Sequence, residues 1–133
     1  MDSESKIILI KDNKVLLNHR DDKEGIANPG MWSLIGGMVE VNESPVETII
    51  REVKEEINLD IENPVLLPDV VHAEHGSKHR IHIFKANTDK EIDELALGEG
   101  QELRYFSYEE ALNLKITNVF RKLILDTLTM LNS

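Results

Sequence analysis

Two short apolar runs, at residues 6–10 and 15–19, are separated by Lys11-Asp12-Asn13-Lys14. That spacing predicts a β-hairpin, and the continuous apolar character predicts strands covered on both faces. Residues 21–30 read as a polar loop ending in Asn28-Pro29-Gly30, and residues 32–36 as a strand. The period then changes: Val46, Ile49, Ile50, Val53 and Ile57 recur at helical spacing, which predicts a helix over 45–57 with these five on its buried stripe. Its start is marked by Ser44 as N-cap, Pro45 at the first helical position and Glu47 as the third-position acid of a capping box. Residues 64–74 and 79–86 predict a second strand pair turning at Gly76-Ser77-Lys78, followed by an acidic loop at 88–100 and a strand at 103–106. Ser107 and Glu110 repeat the capping-box pattern ahead of a short helix through Leu112. Ile116, Phe120, Leu123, Ile124, Leu128 and Leu131 mark a terminal amphipathic helix. Strands mixed with helices in the middle and at the end of the order indicate an α/β or α+β layer, without internal repeats or low-complexity segments.

Composition narrows this picture. At 133 residues and 41% hydrophobic, the chain can bury one good core but hardly two, so residues 1–133 are expected to form a single domain. Without cysteine, disulfides and thiol chemistry are excluded. The N-terminal MDSESK is not an apolar signal segment, and no run approaches the roughly 18 apolar residues of a membrane span, so a cytoplasmic protein without membrane association is expected. A formal charge of −10 argues against stable nucleic-acid binding, which rests on basic surface. It does not argue against a phosphate substrate, because divalent ions screen both the acids and the substrate. Self-association into a homodimer is left open.

The predicted middle helix carries the candidate chemistry. At about 100° per residue, Glu52, Glu55 and Glu56 fall within roughly a 100° arc beside the apolar stripe, while Glu47, Arg51 and Lys54 project from the opposite flank. Like charges at this spacing cost about 0.2 to 0.5 kcal/mol per pair even when solvated, and a bound cation reverses the sign. An all-oxygen cluster suits a hard ion, so Mg²⁺ or Mn²⁺ is expected ahead of Zn²⁺. Taken alone, the three acids would equally describe a solvated acidic helix face.

The wider pattern goes further. Gly37, five residues, Glu43, seven residues, Arg51-Glu52, aliphatic Val53, one residue, Glu55-Glu56, one residue, Asn58 and aliphatic Leu59 together resemble the Nudix box of the Nudix hydrolases. Asn58 is the one departure, where the family usually has glycine. The position needs a left-handed backbone, for which asparagine is the next best residue. Ile35 is a milder departure, standing where relatives more often carry proline before the glycine pair. The resemblance implies the Nudix fold, a mixed β-sheet sandwiched between α-helices, over essentially the whole chain.

It also implies roles. Glu52, Glu55 and Glu56 would bind the metals, with the Gly37 carbonyl adding a ligand. Arg51 and Glu43 would be structural, the arginine orienting the catalytic loop and helix by pairing with acids of the box. The residues themselves equally allow a four-residue surface pair from Glu47 to Arg51. Glu102 resembles the late acidic residue that reaches the metals or acts as base in many relatives, with Glu99 as competitor. Arg20, Trp32 and Gly36 fall on the substrate side, Arg20 toward phosphate and Trp32 either stacking on a base or filling the gap between sheet and helix. Histidines 72, 75, 79 and 82 do not make ready metal pairs within a strand, since residues three apart point to opposite faces; His79 or His82 would lie near the ligand.

The implied reaction is metal-assisted hydrolysis of a phosphoanhydride in a nucleoside diphosphate linked to another moiety, with Glu55, Glu56 or Glu102 taking a proton from the attacking water. The partner is thus a small nucleotide diphosphate derivative. A small domain resembles MutT-like members acting on nucleoside triphosphates. ADP-ribose or nucleotide-sugar hydrolysis is the alternative, and a non-catalytic nucleotide-sensing domain is the reading from another class.

Overall fold

Asp12 and Asn13 both have positive φ, 51° and 61°, which is what a two-residue hairpin turn requires. They close β1 (Ser3–Lys11) onto β2 (Lys14–His19) with Leu9 opposite Leu16 and Lys11 opposite Lys14. The computed structural model describes residues 3–19, 30–68, 70–74, 77–95 and 102–131. One edge of β1 runs parallel to β7 (Ser77–Asn87), from Ser3 opposite Arg80 to Ile10 opposite Asn87. Its other edge is shared, with β2 taking the C-terminal half and β4 (Ile35–Met38) the N-terminal half. β3 (Trp32–Ser33) and β8 (Glu102–Phe106) pair with β2, while β5 (Val65–Leu66) and β6 (Val70–Glu74) pair antiparallel with β7.

Strand alternation sends the side chains of this mixed sheet into two cores. Ile7, Leu9 and Leu16 pack with Ile49, Val53 and Ile57 of α1 (Pro45–Ile57). Ile8, Ile10, Val15 and Leu17 pack with Phe120, Ile124 and Leu128 of α3 (Asn118–Leu131) on the other face. The short α2 (Tyr108–Leu112) contributes Ala111 to that second core and starts with the expected Ser107–Glu110 capping box. The fold is therefore α+β, a mixed sheet between helices, as the sequence predicts. No helix among the described residues is long and apolar enough to cross a membrane.

Several local expectations are corrected. The strand expected at 32–36 is broken at Leu34, because β3 follows β2 whereas β4 has crossed to β1. Of the expected turn at 76–78, Ser77 pairs with Glu74 and Lys78 with Ala73, so both belong to β7, and Gly76 lies outside the described residues. Residues 64–74 form two short strands rather than one, and a 3₁₀ turn, Ile92–Glu94, interrupts the acidic loop. Ile116 is buried ahead of α3 rather than within it, and Leu131 is exposed at its end.

The most consequential correction concerns the roll of α1. Its ends and capping box are as predicted, but Val46 and Ile50 are 39% and 43% exposed, whereas Thr48 is buried. The helix is rolled so that the core lies nearer Ile49 than the centre of the apolar stripe. Glu56 follows Ile49 by seven residues, which is about 20° around the helix. The roll therefore carries Glu56 inward with it.

At the C-terminus of α1, Asn58 has φ 55° and ψ 40°, and its N–H closes on the Lys54 carbonyl. A β-carbon costs about 1 to 2 kcal/mol in this left-handed conformation, and asparagine recovers part of that locally. Asn58→Ala should lower stability by about 1 kcal/mol in urea unfolding, while Asn58→Gly should be neutral or slightly stabilising. Equal stability of the two variants would show that the left-handed cap contributes nothing.

Candidate active site

Two adjacent glycines let β4 pass between β1 and α1. A β-carbon at Gly36 would sit 1.9 Å from the Ser5 carbonyl oxygen, and one at Gly37 would sit 2.5 Å from the Glu52 carboxyl carbon. Glu52 is thereby packed directly on the Gly37 backbone. The Ser5 hydroxyl donates to the Pro45 carbonyl at 2.8 Å, fixing the start of α1 against β1.

Arg51 organises the acids. Its Nε and Nη2 donate to the two oxygens of Glu43 at 2.7 and 3.0 Å, a bidentate pair. Nη1 donates to Glu52 at 2.8 Å and to Glu55 at 3.2 Å, and Nη2 reaches the Met38 carbonyl at 3.4 Å. Glu43 also accepts from the Thr48 hydroxyl at 2.7 Å and the Glu40 N–H at 3.1 Å. The Arg51 guanidinium, then Thr48, hold the Glu43 carboxyl down to about 2, and Glu43 in turn raises the pKa of Arg51. Two expectations change. Arg51 is not on the flank opposite the acids but beside them, one turn from Glu55, and its partners exclude the surface pair with Glu47. Glu47 instead accepts from the Ser44 N–H at 2.9 Å in the capping box.

Glu56 stands apart from this network. Burial pushes its carboxyl up to about 7; the charge of Lys6 and the N–H of Gly36 pull the other way, while Glu52 and Glu55 add to the rise. Its Oε2 is buried and has no hydrogen-bond partner among the described residues. An orphaned buried carboxylate oxygen beside two further carboxylates is the environment a hard cation suits. Among the described residues, no three carboxylate or histidine side chains form a ready-made cage. Arg51 explains this, since it draws Glu52 and Glu55 to itself.

The other expected residues lie elsewhere. Glu102 opens β8 opposite His19 and accepts from Arg104 at 2.8 Å, rather than joining the acids of α1. The Arg104 guanidinium lies 5.6 Å from the centre of the Trp32 ring and 5.8 Å from that of Phe106. Trp32 contacts His19 and Phe106, each at 4.8 Å between ring centres, and packs on the core cluster shared with α3. It therefore fills the sheet-to-helix gap on the face away from α1, with a cation over it. Arg20, Glu99 and His75 lie outside the described residues. The register sets His72 opposite His79 across β6 and β7, a pairing that comparison within each strand could not reveal.

One residue was missed altogether. Lys6 lies mid-strand in β1 at only 8% exposure, with its Nζ donating to the Leu34 carbonyl at 3.3 Å. The available signal was a lysine opening a run that is otherwise buried on both faces.

The NUDIX domain family matches residues 4–127. The chain belongs to this family. It is 34% identical to a CTP pyrophosphohydrolase of Escherichia coli (strain K12) over 105 residues, covering 79% of this chain and 75% of that enzyme. It is 36% identical over 66 residues to an 8-oxo-dGTP diphosphatase of Proteus vulgaris, a match covering 50% of this chain and 57% of the relative. Among solved structures, a MutT protein from Methanosarcina mazei Go1 superposes with a TM-score of 0.81 at 22% identity, covering 99% of this chain and 95% of the other. The Nudix fold inferred from the box is thus the fold of the chain.

The Glu43–Arg51 pair gives a pH test. Because the folded-state pKa of Glu43 is lowered from 4.5 to about 2, its stabilisation is complete above pH 4.5 and is lost as pH falls through about 2. The difference in melting temperature between the wild type and Glu43→Gln should be constant above pH 4.5 and shrink toward pH 2. A pH-independent difference would remove the ion pair as its cause.

Proposed function

We propose that this Nudix chain is a pyrophosphohydrolase of nucleoside triphosphates, releasing pyrophosphate and the monophosphate with Mg²⁺ or Mn²⁺. The observation that carries this reading is the buried, unpartnered Oε2 of Glu56, set beside Glu52 and Glu55. The names of the two relatives, both enzymes of triphosphate cleavage, support the substrate class.

Glu52, Glu55 and Glu56, with the Gly37 carbonyl, would hold the metal. When bound, that ion supplies neutralisation of the phosphate oxygens and polarisation of a water. Arg51 does the complementary work. Its bidentate grip on Glu43 keeps the guanidinium at the site, so Glu52 and Glu55 can turn from it to a stronger cation without losing their place on the helix. Gly36 gives Glu56 an N–H, and its missing β-carbon makes room for β1; a substrate role for it rests on the family resemblance. Trp32 packs with His19, Phe106 and Arg104 on the face away from α1, with Glu102 fixing Arg104, so its substrate role rests on the family resemblance. Arg20 remains assigned to phosphate by the box resemblance alone.

Incubation with nucleoside triphosphates, ADP-ribose and nucleotide sugars, with Mg²⁺ and then with excess chelator, should give pyrophosphate plus monophosphate from the triphosphates only, and nothing with chelator. Two monophosphates from ADP-ribose would overturn the substrate class, and turnover in chelator would overturn the metal. Glu56→Gln and Glu55→Gln should each cut kcat by about a hundredfold or more. Glu56→Gln should melt no lower than the wild type, because a neutral amide avoids the cost of burying a charge. Activity of either variant close to wild type would remove that residue from the ligand set.

A further inference from the structure

Thr48 is fully buried on α1, where the other buried positions, Ile49, Val53 and Ile57, are aliphatic. A buried hydroxyl needs a partner, and this one has two oxygens within reach, Glu43 Oε1 at 2.7 Å and the Ser44 carbonyl at 3.1 Å. It has a single proton to donate. The Ser44 carbonyl already accepts the Thr48 N–H at 3.0 Å in an ordinary helical bond, whereas the Glu43 carboxylate is charged and closer, so the proton goes to Glu43. The hydroxyl thus reaches the loop before the helix instead of folding back on its own helix, as a threonine in a first turn otherwise does.

Its effect on Glu43 depends on what else holds that carboxylate. Arg51 takes both oxygens, but two long side chains bonded only to each other can swing as a unit. Two further donors tie Glu43 to the backbone. One is the Glu40 N–H at 3.1 Å, in an exposed turn; the other is Thr48, whose hydroxyl stands one rotatable bond from the helix. Thr48 and Arg51 are neighbours on one helix face, three residues apart, so Glu43 bridges them. The helix that bears Glu52, Glu55 and Glu56 therefore also bears the group that fixes the Arg51 guanidinium beside them.

We propose that Thr48 is a positioning residue of this site: by holding Glu43 it fixes where Arg51 stands, and so lets Glu52 and Glu55 leave the guanidinium for a divalent cation. The assignment rests on the hydrolase reading above. Without the hydroxyl, the Glu43–Arg51 pair is free to follow the two acids, and the guanidinium competes with the cation for them. With it, Arg51 stays at a set distance as the acids turn away.

The test compares wild type, Thr48→Val and Thr48→Ser by Mn²⁺ binding to the substrate-free protein, by thermal melting, and by steady-state kinetics on nucleoside triphosphates over a range of Mg²⁺ concentrations. Thr48→Val keeps the branched shape and drops the hydroxyl. It should melt close to the wild type, because Glu43 retains its Arg51 and Glu40 donors. It should bind Mn²⁺ about tenfold more weakly and need about tenfold more Mg²⁺ for half-maximal turnover, with KM for the nucleotide at saturating Mg²⁺ little changed. Thr48→Ser should restore the Mn²⁺ affinity even though, having lost a buried methyl, it melts lower. A merely structural threonine gives the opposite order, with metal affinity following melting temperature and serine worse than valine. Should Thr48→Val not fold, Thr48→Ala carries the same measurements. Equal Mn²⁺ affinity in the wild type and a folded variant without the hydroxyl would overturn the assignment while leaving the hydrolase reading intact. A wild type that neither binds Mn²⁺ nor turns over any triphosphate would overturn both.

Discussion

Everything at this site depends on two missing β-carbons. Position 36 cannot carry a side chain, because its first atom would collide with the backbone of β1, and a side chain at position 37 would push the Glu52 carboxylate off the backbone it packs on. With both glycines in place, β4 lies flat enough against β1 for α1 to settle on it. The same close approach gives Glu52 the Gly37 backbone, Glu56 the Gly36 N–H and Lys6 a path for its stem. A backbone so tightly approached is also rigid, which suits carboxylates that must be held in position.

The second constraint is electrostatic. A helix flank bearing Glu52, Glu55 and Glu56, with Glu43 nearby, would repel itself, and Arg51 answers most of that by pairing with three of the four. The bidentate bond to Glu43 is the anchor; the bonds to Glu52 and Glu55 are single and so more readily exchanged. Glu56 lies outside that network, where burial raises its pKa against the opposing pull of Lys6 and the Gly36 N–H.

What was legible in the sequence was what local chemistry decides. The ends of α1 followed from Ser44, Pro45, Glu47 and Asn58, and the first hairpin from its two-residue turn. Periodicity also indicated a helix with an acidic flank, but it cannot say where the neighbours stand. The roll that exposes Val46 and Ile50 and buries Glu56 is set by how closely the glycine pair lets the helix approach. Arg51 was misplaced for a related reason, because a long side chain reaches acids well around the helix from its own Cα. The break at Leu34 and the His72–His79 register depend on pairing partners distant in sequence, and no local pattern encodes them. Lys6 was hidden by its company, since one lysine in an aliphatic run reads as a strand end until its burial is known.

The two faces of the sheet keep the acids apart from the aromatic and basic cluster. The acids belong to α1 on one face, whereas His19, Trp32, Phe106 and Arg104 gather on the face shared with α3. The chain passes from one partner strand to the other at Leu34, between β3 and β4, and Lys6 is bonded to that residue's carbonyl. The box residues lie on α1 and its glycine loop, whereas the aromatic and basic cluster is assembled from β2, β3 and β8, outside the motif and from segments distant in sequence, so no single local pattern could have revealed it.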